Sequence, residues 1–88
     1  MFLIKATDGI HKYIAVYPHK RVPFGNIAYE DFTQHHDKER RRLYLLRHKA
    51  RENWDDPYTA GSLSRWILWG DSDSLKTNLE SFKKRFSL

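Results

Sequence analysis

The chain contains no cysteine, so neither disulfides nor thiolate metal ligands can supplement its core, and nothing in its thiol content points to an oxidising compartment. Glycine and proline are sparse, four and three residues among 88, so each one marks a boundary worth reading. No window approaches the ~20 apolar residues of a membrane span. The opening Met1-Phe2-Leu3-Ile4-Lys5 has a short apolar stretch, no preceding basic region and no small-residue cleavage site, which predicts a soluble, untargeted chain that is not secreted. Catalytic signatures are missing as well. Ser62, Ser64, His48 and Asp55 stand in no nucleophile-elbow sequence, no glycine-rich phosphate loop occurs, and ordinary capping and surface roles account for these residues. His35-His36-Asp37 has the spacing of neither a zinc finger nor the two-histidine helical motif of metalloproteases. No catalytic residue, metal or cofactor is assigned, and an enzyme is not expected.

What the chain does have is a concentrated positive charge. Residues 37–51 hold seven of the 16 lysines and arginines against two of the 11 acids, so this one segment carries the whole formal excess of +5. A patch of this kind attracts phosphate backbones, anionic lipid or acidic protein faces, unless it is simply a solvated helix surface. Lys38, Arg40, Arg41, Arg42, Arg47, Lys49 and Arg51 are the candidate contacts to a nucleic-acid backbone or an acidic partner. Nothing in their order specifies base readout.

The pattern of apolar residues predicts a single small α+β domain: an N-terminal β-hairpin, or three short strands, followed by three or four helices. At this length such a domain lies near the margin of independent stability. Strand-like residues flank Asp8-Gly9, a dipeptide suited to a tight turn, giving a hairpin over 2–17. Both faces of that hairpin carry apolar groups, so a cover on each side is expected. Val22-Pro23-Phe24-Gly25 offers a third strand, either short or at an edge because Pro23 has no backbone donor. A short helix fits at about 29–35. Asp37 caps a basic helix over 37–52, whose stripe Leu43, Leu46, Ala50 and Trp54 should meet the sheet, leaving Leu45 without an explanation. Asp55-Asp56-Pro57 ends it. Thr59 or Ser62 caps a Trp-bearing helix over 62–69, stopped at Gly70, and a last helix over 74–86 carries the stripe Leu75, Leu79, Phe82 and Phe86.

Trp54, Trp66 and Trp69 are the main packing signal of the second half, with Trp66 assigned to the core. Tyr44, set among arginines, and Trp69 are candidate interface residues, since such rings serve cores and interfaces alike.

The runs Phe24-Gly25, Tyr29-Glu30-Asp31-Phe32-Thr33, His36-Asp37-Lys38-Glu39-Arg40, Arg47-His48-Lys49-Ala50-Arg51-Glu52-Asn53-Trp54 and Thr59-Ala60-Gly61-Ser62-Leu63-Ser64-Arg65-Trp66-Ile67-Leu68-Trp69, with the ending Phe82-Lys83-Lys84-Arg85-Phe86, form one pattern. It resembles an uncharacterised family of small basic proteins of large double-stranded DNA viruses of algae and protists. The resemblance covers roughly residues 24–86 and brings no activity with it. It implies a viral setting: a virion component, minor capsid or packaged core protein, placed in the particle or inside the host cell, with capsid neighbours as possible partners. The alternative it leaves is a non-specific DNA- or RNA-binding protein acting during infection.

Overall fold

A computed structural model describes residues 1–88, folded into a body of 36 × 29 × 25 Å. Three antiparallel strands, β1 (Phe2–Lys5), β2 (His11–Val16) and β3 (Arg21–Asn26), lie in the order of the chain. Phe2 faces Val16 and Ile4 faces Ile14 across the first pair; Tyr13 faces Phe24 and Ala15 faces Val22 across the second. The first connection is wider than a two-residue turn: Gly9 supplies a φ of 74° while the Asp8 carboxylate accepts from the Ile10 and His11 amides at 2.9 and 2.8 Å. Pro23 sits in the edge strand β3, opposite Ile14.

Alternation along the strands separates two apolar faces. The inner face supplies Ala15, Val22 and Phe24, joined by Tyr17 just beyond β2, to a core completed by Leu63, Ile67, Leu68 and Phe82. No helix covers the outer face, where Phe2 and Ile4 stay 55% and 37% exposed beside Ile14 and Val16. The cover expected on both sides is therefore present on one. Partial mutual shielding across the strand pairs is all that the outer residues receive.

Helix α1 (Phe32–His35) begins with a capping box between Asp31 and Gln34, and Lys12 reaches across from β2 to both side chains at 2.7 and 2.6 Å. A left-handed residue, His36, separates it from α2 (Lys38–His48), which Asp37 caps through the Glu39 and Arg40 amides. α2 ends at His48, four residues short of the expected boundary. Beyond it the chain folds into turns pinned by Glu52, which takes a hydrogen bond from the Trp54 indole at 3.0 Å, pairs with His48 at 2.7 Å and packs on Gly61.

The face that α2 turns inward also differs from expectation. Leu43 and Leu46 point out, 41% and 61% exposed, and Trp54 lies in the following loop. Arg41, Tyr44, Leu45 and His48, spaced three, one and three residues apart, form the sheltered stripe instead. That spacing accounts for Leu45. Two polar members were invisible to a stripe chosen by hydrophobicity, because each is satisfied by a specific partner.

Helix α3 (Ala60–Leu63), capped by the Thr59 hydroxyl, runs directly into one π turn, Ser64–Leu68, closed by Trp69 N–H to Ser64 C=O at 2.9 Å. Gly70 follows with no room for a side chain: a Cβ there would collide with the Trp66 carbonyl and the Asn78 carboxamide. Helix α4 (Leu75–Arg85) starts at the Ser74 cap and packs Leu75, Leu79, Phe82 and Phe86 on the core, the stripe expected of it. Buried Asn78 binds Ile67 C=O at 2.9 Å and Ser72 C=O at 2.6 Å, fastening the intervening turn.

Candidate nucleic-acid interface

The seven cations read from the sequence divide by what they touch. Arg41 is internal: its Nε donates to Gly70 C=O at 2.8 Å and Trp69 C=O at 3.3 Å, and its terminal nitrogen binds Asp71 at 2.9 Å. These carbonyls end the π turn, where the helix dipole is negative, so the guanidinium closes a helix terminus. Arg42 is clasped by Glu39 one turn earlier on the same helix. Arg40 stands at 3.9 Å from Glu30, a loose pair with both side chains half exposed. Lys38, Arg47, Lys49 and Arg51 have no carboxylate within ion-pairing reach; Arg47 touches only the Leu43 carbonyl, through Nε at 3.3 Å. The basic segment therefore presents four uncommitted cations.

Tyr44 and Trp69 meet each other. Their rings stack in parallel, 4.1 Å between centroids and 3° between planes, and His48 stacks on Tyr44 at 4.1 Å. His35 extends the group from α1, 5.3 Å from Trp69. This column is how a highly charged helix docks. Burial, and then the charge of Glu52, hold the Tyr44 phenol well above its usual range, so it remains a neutral donor.

His35 is fixed in one tautomer by geometry. Its Nδ1 accepts the Asp37 amide at 2.9 Å, leaving the proton on Nε2, which is buried without a partner. Burial first, and Arg40 second, lower its affinity for a second proton. His36, next in sequence, goes elsewhere, to Asp73 at 2.9 Å.

Arg65 and Arg85 were not singled out by the sequence, yet they organise the tryptophans. Arg65 lies over Trp54 at 5.1 Å and Trp66 at 4.1 Å, and Arg85 lies over Trp66 at 3.7 Å. Trp66 also donates to Trp54 C=O at 2.8 Å. Trp66 is thus half-buried at the margin of the core. The only sequence signal was an arginine directly before an indole, which says nothing about which ring it will cover.

A cleft of about 460 Å³ opens between α2, the end of β3 and the π turn. Tyr44 and Trp69 line it, together with Arg40 and Arg47 from α2, and Tyr29, 72% exposed, stands in the loop leading to α1. Gly25 makes the junction possible: with φ at 77°, a Cβ there would lie 2.8 Å from Leu68. Tyr29 and Lys12, the latter at the cleft wall, were missed because neither belongs to a charge run or a periodic stripe.

Fold and site together define a small α+β domain that holds a basic helix against an aromatic column and leaves part of its charge unspent. Its sheet, α1 and α2 fall within residues 2–48, which match a family of unknown function, DUF5754, and the chain belongs to that family. No curated protein and no solved structure matches the chain.

Proposed function

We propose that the chain is a small, non-enzymatic, basic viral protein, a minor capsid or packaged core component that contacts the genome or an acidic protein surface through α2 and the turn after it. The observation that carries this reading is the set Lys38, Arg47, Lys49 and Arg51, cations without carboxylate partners on one exposed segment. A merely solubilising surface tends to interleave its charges, whereas here the acids near α2 are already occupied by Arg40, Arg41 and Arg42. The viral setting is supported by the resemblance of residues 24–86.

Mobility-shift titration of duplex DNA and RNA across ionic strength is the direct test. Four phosphate contacts predict a log–log salt slope of roughly −4 on duplex DNA. Absence of any salt-dependent binding would leave an acidic protein as the sole partner of this face. Mass spectrometry of purified particles addresses location: a protein missing from them is not a virion component. A second reading, a DNA- or RNA-binding protein acting outside the particle, is favoured by the aromatic cleft beside the cations and keeps the same binding behaviour.

A further inference from the structure

The cleft beside α2 has features that phosphate neutralisation alone does not require. Its volume, about 460 Å³, falls in the range of roughly 300–1,000 Å³ occupied by built ligand sites. The Tyr44 hydroxyl and the Trp69 indole N–H are hydrogen-bonded by no group of the protein, and neither is sealed from solvent. The carboxylates in the wall are spoken for: Asp31 by Lys12 and by the Thr33 amide, Glu30 loosely by Arg40. The recess therefore offers the exposed Tyr29 ring, the edges of the Tyr44–Trp69 stack and spare donors, with no free acid to repel an anion.

Position on the helix adds a second constraint. Arg40 and Arg47 lie two turns apart, roughly 10 Å along the axis at 1.5 Å per residue, on either side of Tyr44. The cleft also borders the π turn, whose extra residue per turn brings Ser64, Leu68 and Trp69 to one wall. Unpaired bases are characteristically taken up on aromatic side chains with arginines at the flanking phosphates, while a base stacked inside a duplex cannot enter a recess.

We propose that this cleft receives the base of one unpaired nucleotide of a single strand, beside Tyr29, Tyr44 and Trp69, with Arg40 and Arg47 taking the phosphates on either side. The proposal rests on the nucleic-acid reading of the basic helix and specifies the form of nucleic acid that helix holds. Arg40 has donors to spare for a phosphate while keeping its loose pair with Glu30 at 3.9 Å; Arg47 has no carboxylate to give up.

The test is nuclear magnetic resonance of the ¹⁵N-labelled protein at low ionic strength, titrated with a thymidine hexanucleotide, an abasic strand of equal length, thymidine monophosphate and a short duplex. The hexanucleotide should move the Trp69 indole N–H and the Tyr29 amide, and the abasic strand should not. Tyr29→Ala should weaken hexanucleotide binding roughly 10-fold while leaving duplex affinity and the thermal midpoint unchanged. Equal binding of the abasic strand, with no effect of Tyr29→Ala, would overturn the cleft and leave the basic face standing. Monophosphate binding as tight as the hexanucleotide would reassign the cleft to a free nucleotide. No binding of any strand or duplex would remove both this proposal and the nucleic-acid reading beneath it.

Discussion

Arg41 and Arg47 are identical side chains on one helix and answer to different physics. Arg41 neutralises two helix-terminal carbonyls and an aspartate in a sheltered position. Its replacement by alanine should cost about 2 kcal/mol in urea unfolding, because buried acceptors lose a charged donor. Arg47→Ala should alter stability by less than about 0.5 kcal/mol and instead reduce the salt slope of polyanion binding by about 1. If the two variants behave alike in both measurements, the division of the basic segment is wrong. His35 makes a pH prediction at the same scale. Its folded pKa lies below the 6.5 of an ordinary histidine, because burial and Arg40 disfavour the cation and Nδ1 is occupied by the Asp37 amide. The unfolded chain then binds the proton more readily, so this contribution is complete above pH 6.5 and declines as pH falls below it. His35→Asn, which keeps an acceptor for that amide, should flatten the decline in thermal midpoint between about pH 6.5 and 5. An unchanged slope would assign the decline to other groups. Carboxylates held low, Asp8 by the His11 backbone and ring and Glu39 by Arg42, yield only at more acidic pH.

Among the elements, α2 and the π turn depend on each other. Trp66, between two guanidiniums and tied to the Trp54 carbonyl, connects the loop after α2 to α3 and α4. Trp66→Ala should cost about 3 kcal/mol by denaturant unfolding; a near-neutral result would mean that the contacts around the indole carry little of the fold. On α2, Leu45→Ala should destabilise by about 2 kcal/mol and the exposed Leu46→Ala by less than about 0.5 kcal/mol, the reverse of what a hydrophobic stripe through Leu46 implies. The strands, the Asp37, Thr59 and Ser74 caps and the stripe of α4 were legible because propensity, capping and apolar packing all favour them. The docking face of α2 was not. Arg41 and His48 point inward only because Trp69, Gly70, Asp71 and Glu52 await them, and those partners lie up to 30 residues along the chain. The candidate site was legible as charge and illegible as shape. Sequence order located the cations but could not distinguish Arg41, spent internally, from Lys49 and Arg51, nor place Tyr29 near Trp69.

The molecule as a whole is one core made from two distant stretches. The family match covers residues 2–48, but the inner face of the sheet is covered by Leu63, Ile67, Leu68 and Phe82. A fragment of residues 1–48 should therefore lack cooperative unfolding and dispersed amide resonances, whereas a folded fragment would show that the sheet and α2 need no cover. The same arrangement has a consequence in time. Phe82, 1% exposed, belongs to α4, which is synthesised well after the strands that it helps to cover. At roughly 5–20 residues per second, the ribosome presents Val22 and Phe24 for several seconds before their cover exists. Closure of this core must wait until α4 has been synthesised, and during that interval the nascent strands depend on whatever in the cell shields apolar chain from other apolar chain.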